Sequence, residues 1–169
     1  MKINLVLAPE QEPAELLALQ SMHPTNCFYL AKESQLAGTN MLILDDPDLV
    51  DKFQRPISFD SVIISGLLQG QVIHQIAFQT KGHQDELVTQ LLPDDAVLAQ
   101  NSQGKAEFML WSFWPDHSAL ADYLVSDNYT QMKQLMKNPY TTSYTHVTSE
   151  SQLSLTHQMR DFDNQTWWG

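Results

Sequence analysis

Phe108-Met109-Leu110-Trp111-Ser112-Phe113-Trp114 is the stretch on which the reading of the fold turns. Its residues favour strands, and Pro115-Asp116 closes it, so Glu107 to Trp114 reads as a β-strand. Successive side chains of a strand face opposite ways. One face here carries Phe108, Leu110, Ser112 and Trp114; the other carries Met109, Trp111 and Phe113. Both are mainly apolar, and a strand of that kind is covered on both sides.

Working upstream, Val72 to Gln79 reads as a strand and Gly82 to Leu92 as about two turns of helix, with Leu87, Val88, Leu91 and Leu92 as its buried stripe. Ala96 to Ala99 is a short strand, and Asn101-Ser102-Gln103-Gly104 is a turn. Downstream, Asp116 is the expected N-cap of a helix running toward Lys137. Leu120, Tyr123 and Leu124 form its first stripe. Ser126-Asp127 marks a second cap or kink, and Tyr129, Met132 and Met136 follow at helical spacing. Asn138-Pro139 should stop the helix. Tyr144 to Thr148 is a further strand, with Gln152 to Thr156 as another candidate. From residue 71 the order is strand, helix, strand, strand, helix, strand, the ferredoxin-like split-βαβ arrangement of an α+β protein. Its helices cover one face of the sheet, so the second face calls for another copy of the chain, and a homodimer is expected.

Residues 1–65 read as an N-terminal strand-rich extension, and 66–169 as the ferredoxin-like domain with a C-terminal tail. In the extension, Ile3, Leu5 and Leu7 alternate as a strand and Pro13 to Gln20 forms a short helix. Cys27 to Ala31 and Asn40 to Leu44 form a loose hairpin around Gly38, closed by Asp45-Asp46-Pro47-Asp48. Residues 46–70 read as a connector with one apolar patch, Val62-Ile63-Ile64.

The 169 residues carry 20 acidic side chains against 9 Lys and Arg, a formal charge of -11. That balance repels phosphate backbones and argues against nucleic acid. No apolar run approaches the roughly 18 residues of a membrane span, and the single Cys27 forms no internal disulfide, which fits a cytoplasmic setting. The histidines show no metal-binding spacing, and no P-loop, GxGxxG or Ser-His-Asp pattern is present.

The run from Phe108 through Trp114-Pro115-Asp116-His117 to Ser126-Asp127 resembles the antibiotic biosynthesis monooxygenase superfamily, and more narrowly its haem-degrading branch. Thr39-Asn40-Met41-Leu42-Ile43-Leu44-Asp45-Asp46 and Arg55-Pro56-Ile57-Ser58-Phe59-Asp60-Ser61-Val62 are similar to a two-part subgroup that includes the signal transduction protein TRAP. The resemblance implies a dimeric α+β barrel. It also implies a planar aromatic or tetrapyrrole ligand between the second helix and the sheet. Haem-degrading members use an Asn on the first strand, a Trp at the end of the third and a His on the second helix. Those positions fall here on Gln75, Trp114 and Lys133. Haem is the cofactor this implies, and Lys133 argues against it. An ammonium of reference pKa about 10.4 must lose a proton before it binds iron, at about 4.6 kcal/mol at pH 7.

Gln75 and Trp114 are therefore the candidate catalytic residues, and Lys133, His117 and Tyr129 the candidate ligand-binding ones. Each has a plainer role to set beside this: Trp114 and Tyr129 as core, Gln75 as a solvated strand residue, and Lys133 as the polar side of a helix. His117 has no spacing argument behind it. Two functions follow. One is a monooxygenase-type protein, acting without a cofactor where it is an enzyme. The other is a non-catalytic TRAP-like regulatory or stress-associated protein that keeps the fold.

Overall fold

A computed structural model describes residues 2–23, 28–34, 39–66, 69–81, 84–103 and 107–149. Cys27, Gly38, Gly82, His83, Gly104, the Gln152 to Thr156 strand and Trp167-Trp168 lie outside them. In chain order the elements are β1 (Lys2–Leu7), α1 (Pro13–Met22), β2 (Phe28–Glu33), β3 (Asn40–Leu44), α2 (Pro47–Val50) and β4 (Ile57–Ser65). They continue with β5 (Val72–Thr80), α3 (Asp85–Gln90), β6 (Ala96–Asn101), β7 (Phe108–Trp114), α4 (His117–Leu124), α5 (Asp127–Leu135) and β8 (Met136–His146). Among the described residues no helix is long and apolar enough to cross a membrane.

Two compact units result, one of Met1–Ile3 with Ile57–Tyr144 and one of Asn4–Pro56 with Thr145–Gly169. β4 counts with the larger unit. In that unit the strands run β8-β5-β7-β6-β4. β7 is antiparallel to β5, with Val72 opposite Trp114 and His74 opposite Ser112, and antiparallel to β6. The order β8-β5-β7-β6 is the ferredoxin-like sheet expected from the chain. Ile76, Phe78, Leu98, Phe108 and Leu110 on one face pack with Val88, Tyr129 and Met132 of the helices.

Several expectations need correction. The patch at 62–64 is part of a nine-residue strand paired with β6, not a connector. A register shift between Ser61 and Ile63 breaks its period of two, which hides the strand in the sequence. In α3 only six residues are helical, and Leu87 is exposed while Val88 is buried. α5 ends at Leu135, because Met136 is already extended and buried. Asn138, at φ 53°, and Pro139 then lie inside the long β8 instead of stopping the helix. Met109, Trp111 and Phe113 are all buried within one chain, so the argument from β7 for a second copy no longer holds.

The smaller unit pairs β1 with β3 and β2 with β3, all antiparallel, over a core that includes Leu16, Leu30, Leu42 and Phe53. The chain therefore runs through β-α-β-β-α-β twice, and the first and third strands pair in each pass. No sequence repeat announces this.

Candidate functional site

Trp114 closes β7 opposite Val72. Its backbone sits hard against Gly70, where an added Cβ would lie 2.7 Å from the Trp114 carbonyl oxygen and 2.8 Å from its nitrogen. Only glycine allows that approach. The indole Nε1 donates to Ser112 Oγ at 2.9 Å, which fixes the ring along the helix-covered face.

The helices bring a row of aromatic rings to that face. Trp114 stacks on Tyr123 with centroids 4.7 Å apart, Tyr123 lies 5.2 Å from Tyr129, and Tyr129 meets His74 edge-on at 6.1 Å. The break between α4 and α5 sets the spacing of the two tyrosines. Ser126 caps α5 by accepting from the Tyr129 backbone N–H at 3.3 Å and donates its hydroxyl to the Tyr123 carbonyl at 2.6 Å. Asp116 caps α4 as expected, accepting from the Ala119 N–H at 2.8 Å.

Two polar atoms in this row are buried without a hydrogen-bond partner among the described residues: His74 Nδ1 and the Tyr123 hydroxyl. Burial lowers the His74 pKa to about 4, so its imidazole is neutral at pH 7 and offers one donor and one acceptor. The Tyr123 hydroxyl is pushed up, first by burial and then by Tyr129, and stays protonated. An orphaned buried polar group costs about 1–3 kcal/mol. Both atoms lie in one aromatic-lined cluster.

Trp114, Tyr129 and Lys133 are brought together; Gln75 and His117 are not. Gln75 pairs with Trp111 in the β5–β7 register, which puts it on the opposite face of the sheet from Trp114. There its Oε1 accepts from Trp111 Nε1 at 2.7 Å, and Trp111 packs edge-on against Phe59. The residue of β5 that does face the helices is its neighbour, His74. His117 is exposed on the first turn of α4, outside the row of rings. Lys133 is exposed too, with Nζ 5.5 Å from the Tyr129 ring centroid, a cation–π contact. Sequence reading placed Tyr123 in the apolar stripe of the helix and Ser112 on the Trp114 face without a functional role, and had no spacing argument for His74. The parity of His74 with Val72, once Val72 is opposite Trp114, is the signal that identifies it.

This donor set does not fit a haem iron. The ligand position holds an exposed ammonium, and the indole face that would lie against a macrocycle is covered by Tyr123. Among the described residues no group of three or more His, Cys, Asp or Glu is placed to hold a metal ion.

No family model matches the sequence, and no curated protein matches it. Solved structures do match in fold. The heme-degrading enzyme LmHde from Listeria monocytogenes superposes with a TM-score of 0.64 at 12% identity, over 87% of this chain and 100% of that one. A monooxygenase-like protein from Listeria innocua gives 0.63 at 13% identity, over 86% and 93%. A major regulator of staphylococcal pathogenesis gives 0.60 at 11%, over 87% and 99%. The chain thus has the ferredoxin-like α+β fold shared by monooxygenase-like, heme-degrading and regulatory proteins.

Proposed function

We propose that the protein is monooxygenase-type and binds a planar aromatic molecule bearing polar substituents between α4–α5 and the sheet. The observation that carries this reading is the pair of buried atoms without a partner among the described residues, His74 Nδ1 and the Tyr123 hydroxyl, among the stacked rings. Trp114 and Tyr129 supply flat apolar surface. Neutral His74 and protonated Tyr123 supply hydrogen bonds to a ligand hydroxyl or carbonyl, and Lys133 lies at the outer edge over Tyr129. Binding requires the Tyr123 ring to leave the face of Trp114. Haem cleavage through Lys133 is no part of the proposal, and any oxidation would take its electrons from the substrate.

A second reading, a non-catalytic regulatory protein of the same fold, is favoured by the Trp114–Tyr123 stack, which fills the space a ligand would use. Titration with 1,4-dihydroxynaphthalene and, separately, with haemin tests both. The first reading expects saturable fluorescence quenching by the naphthalene that is lost in Trp114→Phe and weakened at least tenfold in His74→Leu, with no sharp haemin Soret shift. Oxygen uptake with the bound hydroquinone then separates an enzyme from a binder. Absence of saturable quenching leaves the regulatory reading. We take the single chain as the folding unit, supported by the burial of both faces of β7, and sedimentation equilibrium checks it. A reducing, cytoplasmic setting belongs to the same reading, supported by the lone cysteine.

A further inference from the structure

The smaller unit holds a cavity of about 340 Å³. Its wall is made by Val6 and Leu7 at the end of β1, by the turn after it, which brings the one carboxylate, Glu10, and by Lys52, Gln54 and Arg55. In a chain of net charge -11 with only 9 Lys and Arg, two of those cations, Lys52 and Arg55, line this one cavity. Among the described residues neither makes an ion pair; the ion pair found there joins Lys2 and Asp60.

Three further features converge on the same place. Val6 is buried and, with Pro9, gives the cavity an apolar side. Gln11 donates its amide to the Lys52 carbonyl at 2.7 Å, and Gln11 Oε1 is buried without a donor among the described residues. Ala8 and Arg55, both in the wall, hold left-handed backbone at φ 50° and 53°, a conformation that side chains other than glycine seldom adopt. Strain of this kind persists where surrounding structure enforces it, and it gathers at ligand clamps.

We infer that this cavity binds a small organic carboxylate that carries an apolar body and a hydroxyl or amino donor. The carboxylate lies between Lys52 and Arg55, where a guanidinium offers a planar fork to two oxygens. The donor reaches Gln11 Oε1, and the apolar body rests against Val6 and Pro9. The volume is at the lower end of the range for small-molecule sites and suits a ligand of modest size.

The test is ¹H–¹⁵N NMR of the full chain titrated with mandelate, phenylacetate and inorganic phosphate in parallel. Mandelate is expected to shift the amides of residues 6–11 and 52–55 to saturation, with phenylacetate at least fivefold weaker because it lacks the hydroxyl. Arg55→Gln should weaken mandelate tenfold or more. Arg55→Gly should abolish binding and raise the Tm, since it removes the cation and relaxes the left-handed backbone at once. Equal binding of phosphate and mandelate would show a bare anion site and overturn the assignment. So would mandelate shifts that avoid these residues, or that persist unchanged in both Arg55 variants.

Discussion

Two histidines, the buried His74 of the larger unit and the half-buried His146 of the smaller one, make an instructive pair. His146 stacks on Tyr29 at 4.4 Å with rings 19° apart, and its Nε2 lies 3.2 Å from Gln20 Oε1. An amide oxygen only accepts, so Nε2 carries the proton there. The same Gln20 accepts from the Leu30 N–H and donates to the Val147 carbonyl, each at 3.0 Å. His74 also packs against a tyrosine, and burial lowers the pKa of both imidazoles. Yet His74 Nδ1 has no partner among the described residues. The two residues thus differ in depth of burial and in hydrogen-bond satisfaction. A satisfied network specifies structure, and the unsatisfied atom at His74 is what the proposed ligand would satisfy.

The largest expected effect tests the satisfied side. Gln20→Ala leaves the Leu30 N–H and the Val147 carbonyl without their side-chain partner, and frees His146 Nε2. At about 1–3 kcal/mol for each orphaned group, the loss should be about 4 kcal/mol in denaturant unfolding at pH 8. A loss under about 1 kcal/mol would erase the contrast between the two histidines.

Acid gives the next largest effect, and it draws on the unsatisfied side. The unfolded chain protonates His74 near its ordinary pKa of 6.5, while the folded chain resists until about 4. Over that window the unfolded state binds more protons, so stability is full above it and falls as pH drops through it. The difference of about 2.5 units corresponds to about 3 kcal/mol. His146 acts in the same direction. Unfolding measured from pH 8 to pH 4 should show this decline, and His74→Leu should flatten most of it.

Much of this was legible in the sequence, because its signals are local. The two-sided apolar β7, the Asp116 cap and the Ser126 break each declare themselves within a few residues, and together they give the helix–sheet order of the larger unit. The candidate site was only half legible, for a reason of register. Gln75 and His74 are neighbours, and only the pairing of Val72 with Trp114 decides which one shares the indole's face. A slip of one residue exchanges the faces of a strand. β4 was missed through the same kind of offset, its bulge at Ser61/Ile63. The stack of Tyr123 on Trp114 is a tertiary contact between helix and strand, without a local mark.

Register also yields the third prediction. Gln75 is the partner of a buried indole on the far side of the sheet from the rings. Gln75→Leu orphans Trp111 Nε1 and should cost about 2 kcal/mol of stability. Binding of 1,4-dihydroxynaphthalene should be unchanged once the variant is folded. A selective loss of binding at intact stability would return Gln75 to the site and break the two-face description.

The smallest expected effect is the most telling. At pH 8 His74→Leu loses no described hydrogen bond at Nδ1 and replaces a buried orphan with a side chain that needs no partner. Removing an unsatisfied polar group from an apolar setting is close to neutral or stabilising, so unfolding free energy should stay within about 0.5 kcal/mol of the parent. His146→Leu, by contrast, gives up its bond to Gln20 and the stack on Tyr29, and should cost about 1–2 kcal/mol. If the two histidines are retained for different reasons, His74→Leu keeps its fold and loses its ligand, while His146→Leu weakens the fold and keeps the ligand. Equal losses of stability from both would mean that His74 is structural as well, and the unsatisfied nitrogen would no longer distinguish the two sites.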